Sequence, residues 1–441
     1  MSESRIQCPA TLSDRAMNKE QTSRREFLTK SAAAFSFSIV PRHVLGGPGH
    51  TPPSEKLTKA IIGVGGMGKN HFRYEGTKCV AVCDVDEARL KTAVKWGGSG
   101  CRGYRDFREL LEQPDIDIVH IPTPPHWHAL ISIAAAEAGK DIWCEKPMAR
   151  TIAESRSVAE TVRRNGSIFR LNTWFRFKSK FYSSGTTAFP LKKLVESGIL
   201  GWPLKVTIGG KQGFTWKHGH RGKPNLPPQT VPAGLDYDMW LGPAPYRPYN
   251  GGRVHYRFRG YWDYDGGGIG DMGQHYLDPI QYILNKDDTS PVEIEADAPP
   301  QHPFVVGTWR KIWMRYADGC ELLLDGVGNI DRPLLEGPNG KVWRGFRSDI
   351  PNLVRKLDAF PDPEPQVTNF TEAVKTRTQF ALNADNGHRS CTLVNLAKIA
   401  VRLGRKLRFD PVKQEFIDDP VANDLVNEPM RAPWTLNGEP V

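Results

Sequence analysis

Hydrophobic residues recur in short runs of strand length from residue 56 onwards, and stretches of helix length separate these runs. A continuous apolar run bounded by turn residues is typical of a strand that is buried in a parallel sheet. The predicted strands are Lys59–Ile62, Cys79–Cys83, Ile116–Ile121, Asp141–Cys144 and Ile168–Asn172. The predicted helices are Lys69–Tyr74, Tyr104–Glu112 and Ala129–Ala138. The alternation predicts an α/β domain of the Rossmann type over residues 56–173.

A different pattern follows from residue 174 to residue 409. Its alternating and β-branched segments predict an α+β domain with a large, mostly antiparallel open sheet, whose C-terminal helices pack back on the first domain. These segments are Pro203–Gly210, Val292–Ala296, Lys311–Tyr316, Glu321–Val327 and Lys341–Phe346. The aromatic, Gly- and Pro-rich insert Phe214–Gly267 is too long for an idle loop. A helix is predicted at His388–Leu403, and residues 410–441 are expected to form a C-terminal surface tail or an oligomer arm.

An export signal is indicated near the N-terminus. The segment Ser23–Leu28, SRREFL, precedes a modestly apolar run, Ser31–Val40, and a Gly- and Pro-rich stretch that ends at Pro53. This order resembles a twin-arginine signal, so residues 1–55 are expected to be signal and linker. The protein is therefore expected to be periplasmic or otherwise exported. Because that route carries folded proteins, it suits an enzyme that loads a nucleotide in the cytoplasm.

The net charge of +10 does not point to nucleic acid, because the basic side chains are scattered along the chain. Binding of a phosphate backbone requires clustered Lys and Arg, and no run of five like charges follows residue 50. The sequence also contains no stretch of 18 apolar residues, so no membrane span is expected.

A dinucleotide site is indicated where the first predicted strand ends. The segment Gly63–Gly68 has the spacing G-x-G-x-x-G and also includes Gly65, Gly66 and Met67. Such glycines allow a tight turn, a close approach to a pyrophosphate and close packing of helix on strand. Asp84 ends the second predicted strand, 21 residues after Gly63, where a carboxylate would bind the ribose 2′-hydroxyl. A carboxylate there would repel a 2′-phosphate, so NAD is favoured over NADP.

Two further loops are expected to face the cofactor, because parallel strands place ligands at their carboxyl ends. These are Pro122–His126, which contains Thr123, and Glu145–Pro147, which contains Lys146. A metal site at His126 and His128 is not expected, because their spacing does not place them on one helical face and no third ligand stands nearby.

The segment Gly266–Asp278 combines a glycine run with the start of a predicted helix. Asp271 and His275 stand four residues apart, so one helical turn places both on the same face. The residues alone leave two interpretations open: a catalytic pair, or an acidic residue near a helix N-terminus beside a buried core histidine.

These motifs together resemble the Gfo/Idh/MocA oxidoreductase family, and the resemblance covers nearly the whole chain after residue 55. It implies that Thr123, His126 and Glu145 contact NAD, and that Lys146 lies beside the nicotinamide. It also implies that Lys146, Asp271 and His275 form the catalytic set. His275 is the expected base, because an imidazole titrates near neutral pH. Lys146 would stabilise negative charge on the reacting oxygen, and Asp271 would orient the substrate.

The substrate is expected to be a sugar, polyol or glycoside. Four residues are candidate substrate contacts, with packing roles equally open: Arg176, Trp262, Tyr264 and His388. A second hypothesis is redox-neutral chemistry, in which tightly held NAD serves a glycoside hydrolase or an epimerase. A third is a sensor that binds NAD and sugar without catalysis. By analogy with the family, a homo-oligomer through the second-domain sheet is expected.

Overall fold

A computed structural model of the protein describes residues 56–74, 76–173, 175–177, 185–209, 220–327 and 332–436. The predicted export segment, residues 1–55, lies outside these ranges. Among the described residues, no helix combines the length and the apolar character needed to cross a membrane.

The first domain is built around one parallel sheet. In chain order it contains β1 (Leu57–Ile62), β2 (Thr77–Cys83), α1 (Glu87–Gly97), β3 (Arg102–Tyr104), α2 (Phe107–Leu111), β4 (Ile118–Ile121), α3 (His128–Glu137), β5 (Asp141–Glu145), α4 (Ile152–Asn165) and β6 (Phe169–Asn172). The strand order is β3-β2-β1-β4-β5-β6, and every neighbouring pair is parallel. Every residue of β4 and β5 is buried, as expected for strands with helices on both faces. The Rossmann prediction is confirmed.

Two predicted helices of this domain differ from the structure. The helix predicted at Lys69–Tyr74 is a six-residue 3-10 helix, Gly68–Arg73, so the glycine turn is not followed by an α-helix. The helix predicted at Tyr104–Glu112 begins only at Phe107, because the Asp106 side chain accepts a hydrogen bond from the backbone N–H of Arg108.

The second domain is built on a nine-stranded sheet. In chain order the elements are α5 (Ala188–Glu196), β7 (Lys205–Gly209), α6 (Tyr237–Leu241), α7 (Gly267–Ile283), β8 (Glu293–Asp297), β9 (Lys311–Arg315), β10 (Glu321–Asp325), β11 (Leu335–Gly337), β12 (Gly340–Trp343), β13 (Arg347–Ser348), α8 (Leu353–Leu357), α9 (Phe370–Thr376), α10 (Ala384–Leu403), β14 (Leu407–Asp410), β15 (Glu415–Phe416) and α11 (Pro420–Asn423). The strand order is β13-β12-β11-β7-β10-β9-β8-β14-β15, and only the pair β7–β10 is parallel. The predicted α+β domain is therefore confirmed.

Helix α10 joins the two domains. It packs on α7 and β8 of the second domain and also on α4 of the first. Its face toward the interior is long and apolar, with Leu393, Leu396 and Ala400 fully buried in the core of the second domain. Ala384 and Cys391 of the same helix lie in the core of the first domain, so α10 packs in the cores of both domains.

The end of the chain is not a surface tail over residues 410–436. Phe416 and Ala422 are buried in the core of the second domain. Glu428 pairs with the guanidinium groups of Arg150 and Arg402. Since Arg150 is buried in the first domain, this segment ties the second domain back onto the first.

Candidate functional site

The glycine turn after β1 is built by close backbone contacts. Gly63 has a φ of +92°, and a Cβ there would lie 2.9 Å from the side chain of Thr123. A Cβ on Gly68 would lie 2.1 Å from the carbonyl oxygen of Gly63, so the turn closes on itself. A Cβ on Gly65 would lie 2.8 Å from Nη1 of Arg89, whereas Gly66 faces open space. Because these glycines have no side chains, a pyrophosphate can approach the backbone closely.

Asp84 follows β2 at the same edge of the sheet. Its carboxylate accepts hydrogen bonds from the backbone N–H groups of Val64 and Asp86, both at 2.9 Å. Burial raises the pKa of this carboxyl above its usual range. These bonds fix the carboxylate beside the glycine turn, where a ribose hydroxyl would be bound. The donor set and the glycine cradle fit a dinucleotide with a free 2′-hydroxyl.

A cleft of about 420 Å³ extends from this edge to the second domain. Its lining includes all of the predicted cofactor residues except Gly68 and His126: Gly63, Gly65, Gly66, Met67, Asp84, Thr123, Glu145 and Lys146. The second domain contributes Trp240, Tyr256, Phe258, Arg259, Asp265 and Asp271. The structure thus brings the predicted cofactor segments together with Asp271 in one cavity.

Lys146 and Asp271 form a pair where the two domains meet. The Lys146 ammonium donates to the carbonyl oxygen of Asp271 at 2.6 Å and to its Oδ1 at 3.0 Å. Arg259 Nε lies 2.8 Å from the same carboxylate oxygen, and His220 Nε2 lies 3.3 Å from Oδ2. Burial opposes ionisation, but Lys146, His220 and Arg259 together lower the pKa of Asp271 far below its usual range. Asp271 is therefore a carboxylate with three cationic or hydrogen-bonding neighbours.

His275 lies one turn beyond Asp271 on α7, as predicted, but it is buried and absent from the cleft lining. Its ring packs edge-on against Phe175 at 5.5 Å between centroids. Burial and the charge of Lys146 lower its pKa to about 3. The imidazole is therefore neutral at physiological pH, and its role as base stays a prediction.

The carboxylate of Glu145 is hydrogen-bonded by two residues that the sequence pattern did not single out. Its Oε1 accepts hydrogen bonds from Asn172 Nδ2 at 2.5 Å and from His71 Nε2 at 3.1 Å. Nδ1 of His71 in turn lies 2.9 Å from Nδ1 of His120. Burial opposes ionisation, yet His71, Lys146 and Asn172 lower the pKa of Glu145. The one feature of the sequence that could have pointed to His71 as a partner of Glu145 is its position three residues after Gly68.

The two histidines of the Pro122–His126 loop region point away from solvent. His126 donates through Nε2 to the carbonyl of Trp240 at 3.0 Å and is absent from the cleft lining, and its contact with NAD stays a prediction. His128 faces the carbonyl oxygen of Pro147 through Nδ1 at 2.6 Å and that of Thr123 through Nε2 at 2.8 Å. It therefore links the two loops that border the cleft.

Arg176 is contradicted as a substrate ligand. Its side chain is fully buried, and its guanidinium donates to both carboxylate oxygens of Asp278 and of Asp287 at 2.7 to 3.1 Å. Both bidentate faces are consequently used inside the protein, where they tie the segment after β6 to α7.

The other three predicted substrate contacts also lie outside the cleft lining. Trp262 is buried in the core of the second domain, and Tyr264 is fully buried behind the cleft. His388 lies between the hydroxyl of Ser155 at 2.9 Å and the amide oxygen of Gln414 at 3.1 Å. The packing interpretation holds for all three, because each is enclosed by protein.

Asp265 was not singled out by the sequence pattern, although it immediately precedes the glycine run. It lines the cleft, is 1% exposed, and neither carboxyl oxygen has a hydrogen-bond partner among the described residues. A Cβ on Gly270 would lie 1.9 Å from Asp265 Oδ1, and one on Gly266 would lie 2.7 Å from the side chain of Lys398. The glycine run therefore leaves space for these two charged side chains.

The described part of the insert, residues 220–267, covers the adenosine end of the cleft. Asp236 N donates to the carbonyl of Val85 at 3.0 Å, and Glu87 N donates to that of Gly234 at 3.0 Å. These contacts fall on the segment that follows Asp84. The insert also brings His220 and Arg259 to Asp271, which sequence reasoning did not foresee.

Comparison with known protein families gives two matches that together span most of the chain. Residues 57–173 match a model described as "Oxidoreductase family, NAD-binding Rossmann fold". Residues 184–436 match one described as "Oxidoreductase family, C-terminal alpha/beta domain". The prediction of NAD as cofactor is confirmed.

Curated relatives match about a third of the chain. An inositol 2-dehydrogenase of Salmonella typhimurium is 32% identical over 155 residues, which are 34% of this chain and 44% of the relative. A levoglucosan dehydrogenase of Pseudarthrobacter phenanthrenivorans is 42% identical over 162 residues, 33% of this chain and 39% of the relative. The chain therefore spans less than half the length of these relatives in the alignments.

Solved structures are similar over both domains. The WlbA dehydrogenase from Bordetella pertussis, in complex with NADH and UDP-GlcNAcA, has a TM-score of 0.54 at 17% identity, covering 80% of this chain and 99% of that one. A levoglucosan dehydrogenase in complex with NADH and levoglucosan has a TM-score of 0.51 at 19% identity, covering 80% and 98%. At these identities the similarity shows the fold.

Proposed function

Because the chain belongs to the Gfo/Idh/MocA oxidoreductase family, we propose that it transfers a hydride between NAD and a hydroxyl or keto carbon of a sugar, polyol or glycoside. The observation that supports this most directly is the Lys146–Asp271 pair, which lies in the same cleft as the glycine turn and Asp84. A dinucleotide that spans this cleft would bring its redox-active end toward Lys146.

Different residues of the cleft would bind the cofactor and act on the substrate. Gly63, Gly65 and Asp84 would hold the adenosine and pyrophosphate part of NAD, and Glu145 would hold the nicotinamide end. When bound, NAD supplies the carbon that accepts or returns the hydride. Lys146 has a third N–H beyond its two bonds to Asp271, and this donor would stabilise negative charge on the substrate oxygen. By the family resemblance, Asp271 would orient the substrate and His275 would accept the hydroxyl proton.

The names of the relatives support a sugar or polyol as the substrate class. Inositol and levoglucosan are both polyhydroxylated rings, and the dehydrogenases named for them match about a third of this chain. The cleft suits such a ring, because it combines charged groups at Lys146, Arg259 and Asp271 with the aromatic side chains of Tyr256 and Phe258.

The experiment that tests this function compares the wild-type protein with Lys146→Met. The wild type should bind NAD, seen as a raised melting temperature, and should form NADH with at least one polyol or sugar. Lys146→Met should bind NAD but lose a factor of roughly 10² to 10³ in kcat, because one preorganised donor to the reacting oxygen is removed. Lys91→Met, at a side chain that is 71% exposed, is the matched control and should retain full turnover.

Two results would contradict the proposed function. Absence of NAD binding by the wild type would remove the oxidoreductase proposal. NAD binding without turnover of any sugar, polyol or glycoside would favour the non-catalytic sensor.

Redox-neutral turnover is a second candidate, supported by the insert. The contacts of Gly234 and Asp236 with the segment after Asp84 enclose the adenosine end of the cleft, which would slow release of the dinucleotide. Under this hypothesis, NAD accompanies the purified protein at about one per chain and a glycoside or epimer is converted without added NAD. A simple dehydrogenase would instead require added NAD in proportion to product.

We also propose that the chain is exported by the twin-arginine route, on the basis of the segment Ser23–Leu28. Cell fractionation of the full chain and of an Arg24→Lys, Arg25→Lys variant tests this. The wild type should be found outside the cytoplasm and the variant inside it. Equal distribution of the two would refute export by this route.

A further inference from the structure

Two cysteines that are 22 positions apart in the chain, Cys79 and Cys101, lie together at one edge of the first-domain sheet. Cys79 belongs to β2, and Cys101 directly precedes β3. The two strands pair in parallel, with Ala81 opposite Arg102, so Cys101 enters the sheet beside the segment that contains Cys79. Neighbouring strands lie about 4.8 Å apart, which is within the range of Cα separations that a disulfide can bridge.

A bulge in β2 places both side chains on the same face of the sheet. The register of β2 on β1 shifts by one residue between Cys79 and Ala81, so Val80 is an extra residue in β2. Without this shift, Cys79 and Ala81 would share a face, because side chains alternate along a strand. Instead, Ala81 lies in the main core of the domain, whereas Cys79 packs against a smaller apolar cluster that β2 shares with α1. Cys101 packs against that same cluster.

The two thiols interact with each other and remain accessible. They are joined by a hydrogen bond, which lowers the pKa of Cys101 with help from the charge of Arg102 and against the effect of burial. The same hydrogen bond, together with burial, raises the pKa of Cys79. Both side chains are half-buried, whereas the other four cysteines of the described ranges are buried. Cys101 is therefore the sulfur that a disulfide oxidant would meet as a thiolate.

We propose that Cys79 and Cys101 form a disulfide after export of the protein, by exchange with a disulfide oxidant. The Cys101 thiolate attacks one sulfur of the oxidant, whose S–S bond breaks and releases a first thiolate. Cys79 then loses its proton and attacks the Cys101 sulfur, which releases the second thiolate. The pair of cysteines gives up two protons and two electrons, and the oxidant is reduced to two thiols.

The export proposed above supplies the conditions for this step. Thiols stay reduced in the cytoplasm and are oxidised outside it. A protein that crosses the membrane already folded meets the oxidant only afterwards, so a pair of cysteines that is to be linked must be in contact and accessible in the folded state. Cys79 and Cys101 meet both conditions.

The linkage would close a loop that contains the end of β2 and the whole of α1. Asp84 and Arg89 of this loop line the cofactor cleft, so the disulfide would hold the segment that binds the adenosine ribose. The C-terminal residue of α1 leaves space for the linkage: a Cβ on Gly97 would lie 2.7 Å from the Cβ of Cys101 and closer still to its sulfur.

The first test treats the purified, folded full-length protein with oxidised glutathione. The protein is then unfolded, its remaining thiols are alkylated, and its peptides are weighed. The peptides of Cys79 and Cys101 should be found linked and lighter by two hydrogens than the reduced pair. Cys83, buried on the same strand, is the internal control and should be fully alkylated. Full alkylation of Cys79 and Cys101 after oxidation would overturn the proposal.

Thermal unfolding provides a second readout. Oxidised wild type should melt about 4 °C above the reduced protein, because the cross-link restricts the unfolded chain. Cys79→Ser and Cys101→Ser should show no difference between oxidised and reduced samples. Cys83→Ser is the matched control and should retain the difference. An equal Tm for oxidised and reduced wild type would refute the role of the linkage in holding the segment.

Cell fractionation tests the disulfide in its proposed compartment. Protein recovered outside the cytoplasm should contain the linked peptides, whereas the Arg24→Lys, Arg25→Lys variant retained inside should contain both free thiols. Free thiols at Cys79 and Cys101 in the exported protein would overturn the proposal. These measurements do not involve turnover, so their outcome is independent of the oxidoreductase function proposed above.

Discussion

Two carboxyl groups that line one cleft, Asp265 and Asp271, are pushed toward opposite protonation states by their neighbours. Asp271 has a lysine, an arginine and a histidine around it, and its pKa falls. Asp265 is buried beside that negative charge, and its pKa rises to about 7. Pairs of titratable groups whose environments separate their pKa values are typical of acid–base catalysis. The distinction arises from placement alone, since both residues are aspartates.

The state of Asp265 also predicts how stability depends on pH. Between its ordinary pKa of 3.8 and its folded value of about 7, the folded protein holds a proton that the unfolded chain releases. Unfolding is therefore favoured as pH rises through this window, at a cost of up to about 4 kcal/mol above pH 7. Asp265→Asn does not titrate, so it should be more stable than wild type at pH 8 and about equal at pH 4. Urea unfolding at both pH values measures this, and an equal difference at the two would contradict it.

At the scale of elements, the glycine turn shows why a motif and its structure need not coincide in full. The spacing G-x-G-x-x-G is realised as predicted, and Gly63 and Gly68 touch through their backbones. The helix that usually follows is here a six-residue 3-10 helix. The turn therefore depends on the contact between its glycines more than on a long helix behind them.

Replacement of a glycine in this turn should have an effect that depends on the space around it. Gly68→Ala places a methyl group 2.1 Å from the carbonyl oxygen of Gly63 and should lower the free energy of unfolding by about 1 to 3 kcal/mol. Gly66→Ala is the control, because nothing lies within 4 Å of its Cβ position. Thermal unfolding without NAD measures both. Equal stability of the two variants would show that the turn can relax.

At the scale of the whole molecule, the C-terminal segment fastens the two domains together. Glu428 lies between Arg150 of the first domain and Arg402 of α10, and the side chain of Arg150 is only 5% exposed. Removal of this carboxylate leaves a buried guanidinium with Glu154 as its remaining acidic partner.

Glu428→Ala should therefore lower the free energy of unfolding by about 3 kcal/mol, as expected when one partner of a buried ion pair is removed. Glu415→Ala, on the exposed side of β15, is the control and should change it by less than about 0.5 kcal/mol. Denaturant unfolding of the two variants gives the comparison. An unchanged stability in Glu428→Ala would mean that solvent or Glu154 compensates the charge of Arg150.

The sequence by itself determined the local features, because these depend on neighbours in the chain. Apolar runs predicted five of the six strands of the Rossmann sheet but not the short strand β3, which lacks such a run. The glycine spacing predicted the turn, and the four-residue interval placed Asp271 and His275 on one helix. Motif resemblance then identified Lys146, which the structure places against Asp271.

Only the tertiary structure decided which polar side chains face the cleft. Arg176 is a plausible ligand by its place in the chain, yet two carboxylates enclose it. Asp265 is unremarkable in sequence, but the fold surrounds it with charged residues that are 6 to 133 positions away and buries it at the cleft wall. Burial and charge at a given atom depend on long-range packing, and the pattern of one segment does not contain that information.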